Sequence, residues 1–149
     1  MISWKLQIVA AFILIIPCRA KAINQTVQCP HADAERADYE ASRLHTWDQL
    51  YHSYRRYSGC DDGSIGEGYS VSVARLLAHQ WNVLPQAFPL FAGDAEFYKF
   101  VLKHINATWL DDDLKSIRAD AIHSCPRGGD RYCVQIRKTA ENALRDSRR

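Results

Sequence analysis

The sequence has no apolar run long enough to cross a bilayer. Its longest, IVAAFILII at residues 8–16, covers nine residues, where a spanning helix needs about 20. It also has no HExxH, no Gly-x-Ser-x-Gly and no His–Cys nucleophile pattern, so the common hydrolase signatures are missing. The cysteines lack the tight pairs of a zinc knuckle, and no motif calls for a metal or a cofactor. Sustained strand alternation, internal repeats and low-complexity tracts are absent too. An all-α domain with no self-declaring chemistry is what these absences leave.

What is present begins with an export signal. Lys5 precedes the apolar run, Pro17 ends it, and Ala20 and Ala22 take the small-residue positions of an A-x-A cleavage site. This order predicts a secretory signal peptide over residues 1–22, with Ile23 the first mature residue. Cys18 stands where a lipid-modified cysteine would, but Pro17 fills the preceding place that wants a small residue. No stable transmembrane anchor is expected once the signal is cleaved.

Cleavage also changes the charge. Lys5, Arg19 and Lys21 leave with the signal and no acid leaves, so residues 23–149 keep 16 Lys+Arg against 17 Asp+Glu. That balance supplies no field to attract nucleic acid. The basic tip RDSRR reads as a solvated terminus. One domain, residues 23–149, has room for one hydrophobic core.

Cys29, Cys60, Cys125 and Cys133 remain, an even number that predicts two structural disulfides. Residues 33–57 contain neither Gly nor Pro and carry Leu44, Trp47, Leu50, Tyr51 and Tyr54 at helical spacing. An unbroken helix there would be roughly 36 Å long, which holds Cys29 and Cys60 too far apart to bond. The expectation is therefore that each pairs with Cys125 or Cys133.

Further helices are expected over 64–82 (Ile65, Tyr69, Val73, Leu76, Leu77 inward), 94–105 (Phe97, Phe100, Val101, Ile105), 111–123 (Leu114, Ile117, Ala121) and 130–145 (Tyr132, Cys133, Ile136, Ala140, Leu144). A short helical piece fits between the breakers of 84–93. The expected fold is a disulfide-stabilised bundle of five or six helices.

CDDGSIGEGYS, residues 60–70, is the densest polar stretch. Ser64 and Glu67 have capping-box spacing, and Asp61 and Asp62 would lie at the positive end of the helix. A calcium loop does not fit, because counting from Asp61 puts Gly63, Ile65 and Ser72 where ligands belong. Gly66 and Gly68 each weaken the first turns by about 0.5–1 kcal/mol relative to Ala, a cost that close packing against a neighbour would explain.

The remaining polar candidates are spread along the chain. His45, Asp48 and His52 share a stripe of the expected first helix, but the two histidines are about 10 Å apart along the axis, too far for an easy shared metal. Glu67 with His79 or His104 is the acid–base pair that folding could bring together. YHSYRRY at 51–57 offers Arg55, Arg56 and Tyr57, residue types enriched in interface hot spots, with Asp61 and Asp62 nearby as an acidic complement. Asn24 and Asn106 begin glycosylation sequons.

A signal peptide, a small helical domain and spread cysteines resemble, in architecture, the exported immunity proteins that protect bacteria from their neighbours' wall-degrading toxins. The stretch from Cys60 to Leu77 also looks like a block of secreted bacterial proteins, without implying an activity. The resemblance implies another protein as partner. An exported protein-binding module is the leading expectation. A small secreted hydrolase needs Glu67 to converge with a histidine or aspartate in a concave site. A ligand-binding or structural envelope protein would show a cavity among Trp81, Phe88, Phe91 and Phe97, or no site.

Overall fold

The computed structural model describes residues 29–149. The expected signal peptide 1–22, the expected start at Ile23, Cys18 and the Asn24 sequon lie outside the described residues. Seven α-helices follow: α1 His31–Ala41, α2 Trp47–Tyr57, α3 Gly63–Ala78, α4 Phe88–Gly93, α5 Ala95–Lys103, α6 Asp111–His123 and α7 Asp130–Asp146. Short 3-10 segments, Ser58–Cys60 and Trp81–Ala87, join α2 to α3 and α3 to α4. The all-α expectation holds; five or six helices is one too few, and the difference arises in the first.

The run 33–57 is not one helix, because the chain turns between Ala41 and Trp47. Thr46 caps α2, its hydroxyl accepting from the Gln49 amide at 3.1 Å while the Gln49 side-chain oxygen accepts from the His45 amide at 2.8 Å. Two residues of α3 hold the corner from the other side. The Arg75 guanidinium donates to the Leu44 and Ser42 carbonyls at 2.9 and 3.0 Å, and Ser72 donates to the Ala41 carbonyl while accepting from the Leu44 amide. The side chains of α3 thus bond several of the backbone groups that the break leaves without helical partners.

The turn folds α1 back beside α2, and the cysteines follow. Cys29 bonds Cys60, with Cα atoms 4.8 Å apart, and Cys125 bonds Cys133 at 6.1 Å. The expected cross-pairing of the N-terminal with the C-terminal cysteines is wrong, since it rested on a rod that the chain does not form.

α3 occupies the centre, touching α1, α6 and the 3-10 segment 81–87, while α6 and α7 pack along each other as an antiparallel pair closed by the second disulfide. The inward faces expected for α3, α5, α6 and α7 are the buried ones. α5 starts on Asp94, whose carboxylate accepts from the Phe97 amide at 3.0 Å, and Asp111–Asp113 sit in the first turn of α6, where the helix dipole favours them. Phe91 and Phe97 are buried in an aromatic cluster with Trp47, Tyr51 and Tyr98, ring centroids 4.8–5.8 Å apart. Trp81 is half-buried and donates its indole N–H to the Ser124 carbonyl, and Phe88 stacks on Tyr132. Among the described residues no helix is long and apolar enough to cross a membrane.

The two glycines of α3 have separate reasons. A Cβ on Gly68 would lie 2.9 Å from the Ala41 Cβ, so α1 can dock only against a bare backbone. A Cβ on Gly66 would sit 3.2 Å from a carboxylate oxygen of Asp61. Close helix packing explains Gly68, while Gly66 leaves room for the Asp61 carboxylate.

Candidate functional site

α3 begins two residues earlier than the expected capping box allows. Asp62 is its N-cap, accepting from the Gly63 amide at 2.8 Å. Ser64 lies inside the helix and donates instead to Asp38 on α1 at 2.7 Å, so the Ser64–Glu67 cap does not form. Gly63 reaches a positive φ of 52° at this entry, which explains the glycine there.

Asp61 turns inward. Its Oδ2 accepts from His104 Nε2 at 3.2 Å and from Lys103 Nζ at 2.7 Å. The other imidazole nitrogen of His104, Nδ1, lies 3.0 Å from the Ser70 hydroxyl, which also reaches the Gly66 carbonyl at 3.1 Å and accepts from the Asn106 amide at 3.1 Å. His104 is only 2% exposed, its ring packed between Phe100 and Tyr69 at 4.5 and 5.7 Å. Burial pushes the Asp61 carboxyl up, but the hydrogen bonds and charges of His104 and Lys103 outweigh it and hold the group below its ordinary value.

The order Asp–His–Ser has the connectivity of a nucleophilic triad, yet the surroundings favour a different role. Ser70 sits in the middle of α3, where the backbone amides bond within the helix and leave no pair aimed at a developing oxyanion. Its one proton is committed to the His104 ring or the Gly66 carbonyl, and the Asn106 amide is spent on Ser70 itself. The unit ties the start of α3, its centre, the end of α5 and the turn at Asn106 into one polar cross-link.

Two concavities flank it. A cavity of 230 Å³ is lined by Asp61, Gly66, Glu67, Lys103 and His104, and a groove of 590 Å³ opens between α3 and the turn into α6, lined by Glu67, Val71, Arg75, His79 and Leu110. Glu67, Ser70 and Thr108 border both. Glu67 therefore shares one concavity with His104 and the other with His79, the two histidines expected as its partners, but it has no hydrogen bond or ion pair among the described residues. His79 pairs with Asp113 at 3.4 Å.

The expected Tyr57–Arg55–Arg56–Asp61–Asp62 surface does not assemble as one face. Tyr57 is 2% exposed and belongs to the core, and Asp61 is consumed internally. Arg55 approaches Asp94 at 3.5 Å, and Asp62 caps α3. Arg56 remains exposed, its guanidinium 5.6 Å from the Tyr57 ring centroid, and lines the same clefts as a tyrosine that sequence reasoning passed over. Tyr39 on α1 is 70% exposed, with the Arg43 guanidinium 4.4 Å from its ring centroid and hydrogen-bonded to its carbonyl. It stands between clefts of 340 and 420 Å³ that share Tyr39, Glu40 and Arg56, one reaching Asp48 and His52, the other Glu35 and Arg36. The α1–α2 corner creates this face, so the only signal for it in sequence was the Thr46-x-x-Gln49 cap that marks the corner.

The His45–Asp48–His52 stripe is cut by the same corner: His45 precedes α2, while His52 and Asp48 approach at 3.5 Å on its exposed side. Among the described residues no group of three His, Cys, Asp or Glu is placed to hold a metal ion. Asn106 uses its side-chain amide on Ser70 and its oxygen on Thr108, so its sequon is folded into the cross-link. Comparison with family models, with curated proteins and with solved structures finds no match for this chain.

Proposed function

We propose that the protein is an exported protein-binding module of the inhibitor or immunity type, and that it recognises its partner through the Tyr39–Arg43–Arg56 face of α1 and α2. The observation that carries this reading is Tyr39 itself. A large aromatic ring standing 70% exposed between two clefts, stacked by one arginine and flanked by others, is the combination of residue types that interface hot spots use. Tyrosine offers a large rigid contact area for little conformational freedom lost, arginine offers a planar multi-donor head, and both types are enriched in interface hot spots. Glu35, Glu40 and Asp48 intersperse with the arginines, so the face suits a partner surface of mixed charge rather than a polyanion.

The oxidised chain from residue 23 onward, used as bait against envelope and secreted fractions of its source, should retain one stoichiometric protein. Retention should fail for Tyr39→Ala and for Arg43→Glu and survive Lys99→Glu on α5. A partner retained equally by all three variants would place recognition elsewhere.

A further inference from the structure

The groove between α3 and the turn into α6 carries two apolar side chains that the fold does not explain. Leu110 is 74% exposed and occupies the N-cap of α6, with no side-chain bond to the helix amides. Serine, threonine, aspartate or asparagine would satisfy one of those amides there, and leucine cannot. Val71, 50% exposed on α3, lines the same groove. A residue that breaks a local preference and gains no burial in return points to a constraint other than folding.

The charges around the groove have one sign to spare. Arg75 lies in its wall, but both terminal nitrogens are bound to the Ser42 and Leu44 carbonyls at the α1–α2 corner. Lys103, in the adjoining cavity, is held by Asp61. Asp113 is matched by His79 at 3.4 Å. Glu67, on the border of groove and cavity, is unpaired among the described residues. An anionic occupant would meet Glu67 with no free cation among the described residues of the groove to compensate, and a purely apolar one would strip water from that carboxylate without replacing it.

We propose that this groove binds an aliphatic ammonium, a cationic amine on an apolar stem, with the stem against Val71, Ala74 and Leu110 and the ammonium at Glu67. The volume of 590 Å³ lies within the range of small-ligand clefts. This site is separate from the Tyr39 face and does not rest on it. The same chemistry exists in free alkylamines and in lysine side chains of polypeptides.

The test is a titration of the oxidised chain with hexylammonium, hexanol, hexanoate and an acetyl-Leu-Lys amide peptide, followed by two-dimensional amide spectra with the Trp109 indole signal as a reporter in the groove wall. Hexylammonium should give saturable shifts at Val71, Leu110 and Trp109, with hexanoate at least tenfold weaker. Glu67→Gln should weaken the amine about threefold to fivefold, the scale of an exposed ion pair. Leu110→Ser should weaken it as well while leaving the melting temperature unchanged or higher, because serine caps α6. A peptide that binds at least as tightly as hexylammonium identifies a polypeptide lysine as the natural occupant, and a weaker peptide identifies a free amine. The proposal is overturned by hexanol or hexanoate binding as well as the amine, by indifference to Glu67→Gln, or by no saturable shift with either amine probe.

Discussion

Replacing Asp61 by Asn removes the charge at the hub of the polar cross-link and changes little else in shape. Two bonds weaken. The one from Lys103 is mostly in water, with that side chain 62% exposed, and its loss costs at most about 0.5–1 kcal/mol. The one from His104 is buried, and a hydrogen bond with a charged partner in such a place contributes about 1.5–3 kcal/mol. The sum is about 2–4 kcal/mol. For a domain of this size each kcal/mol is worth about 3–5 °C of melting temperature, so Asp61→Asn should melt about 6–20 °C lower near pH 6. Acid provides the sharper check. The folded-state pKa of Asp61 is depressed, so its contribution is complete above its unfolded value, near 3.8, and fades as pH falls through the lower folded value. Denaturant unfolding of both proteins from pH 7 downward should show a constant gap above about pH 5 that narrows below about pH 4. A gap under about 0.5 kcal/mol at pH 6, or one that does not narrow in acid, would refute the cross-link as the reason these residues meet.

Two further outcomes follow from packing. Gly68→Ala should destabilise the fold by about 1–3 kcal/mol, because its new methyl collides with Ala41 and α1 must move; urea unfolding measures it, and a neutral result would mean α1 docks more loosely than described. Loss of the Cys29–Cys60 bond in a double serine variant should cost about 3–4 kcal/mol for a closed loop of 31 residues and free α1 from the bundle. Amide exchange should then accelerate first in α1, while α6 and α7, held by their own disulfide, keep their protection.

The helix faces were legible in the sequence because each is a local pattern. Ile65, Tyr69, Val73, Leu76 and Leu77 recur every three or four residues, and α3 buries all of them. The corner at Ser42–Thr46 was harder to read. No Gly or Pro marks it, and half of what holds it comes from Ser72 and Arg75, about 30 residues away. The local half, Thr46-x-x-Gln49, was present and was outweighed by an apolar pattern that continued across it. Missing that corner cost the helix count, the disulfide pairing and the exposed face together, since all three depend on where α1 lies relative to α2. It also exchanged two tyrosines: Tyr57 was expected outside and is core, while Tyr39 is the exposed one. The Asp61–His104–Ser70 unit had no sequence signal, because its members lie 34 to 43 positions apart across the key contacts and meet only when α3 and α5 pack. Gly68, in contrast, is the mark of close packing that its place in a helix suggests.

The central claim is that Tyr39 anchors a protein interface, and the most direct measurement is the affinity of the captured partner for the wild-type chain and for Tyr39→Ala by titration calorimetry. An anchoring tyrosine should cost at least about 2 kcal/mol on truncation, a loss of roughly thirtyfold, with Arg43→Ala and Arg56→Ala also weakened and the melting temperature of each variant unchanged. Binding that stays within about twofold of wild type for all three would contradict the account and leave the face an ordinary surface.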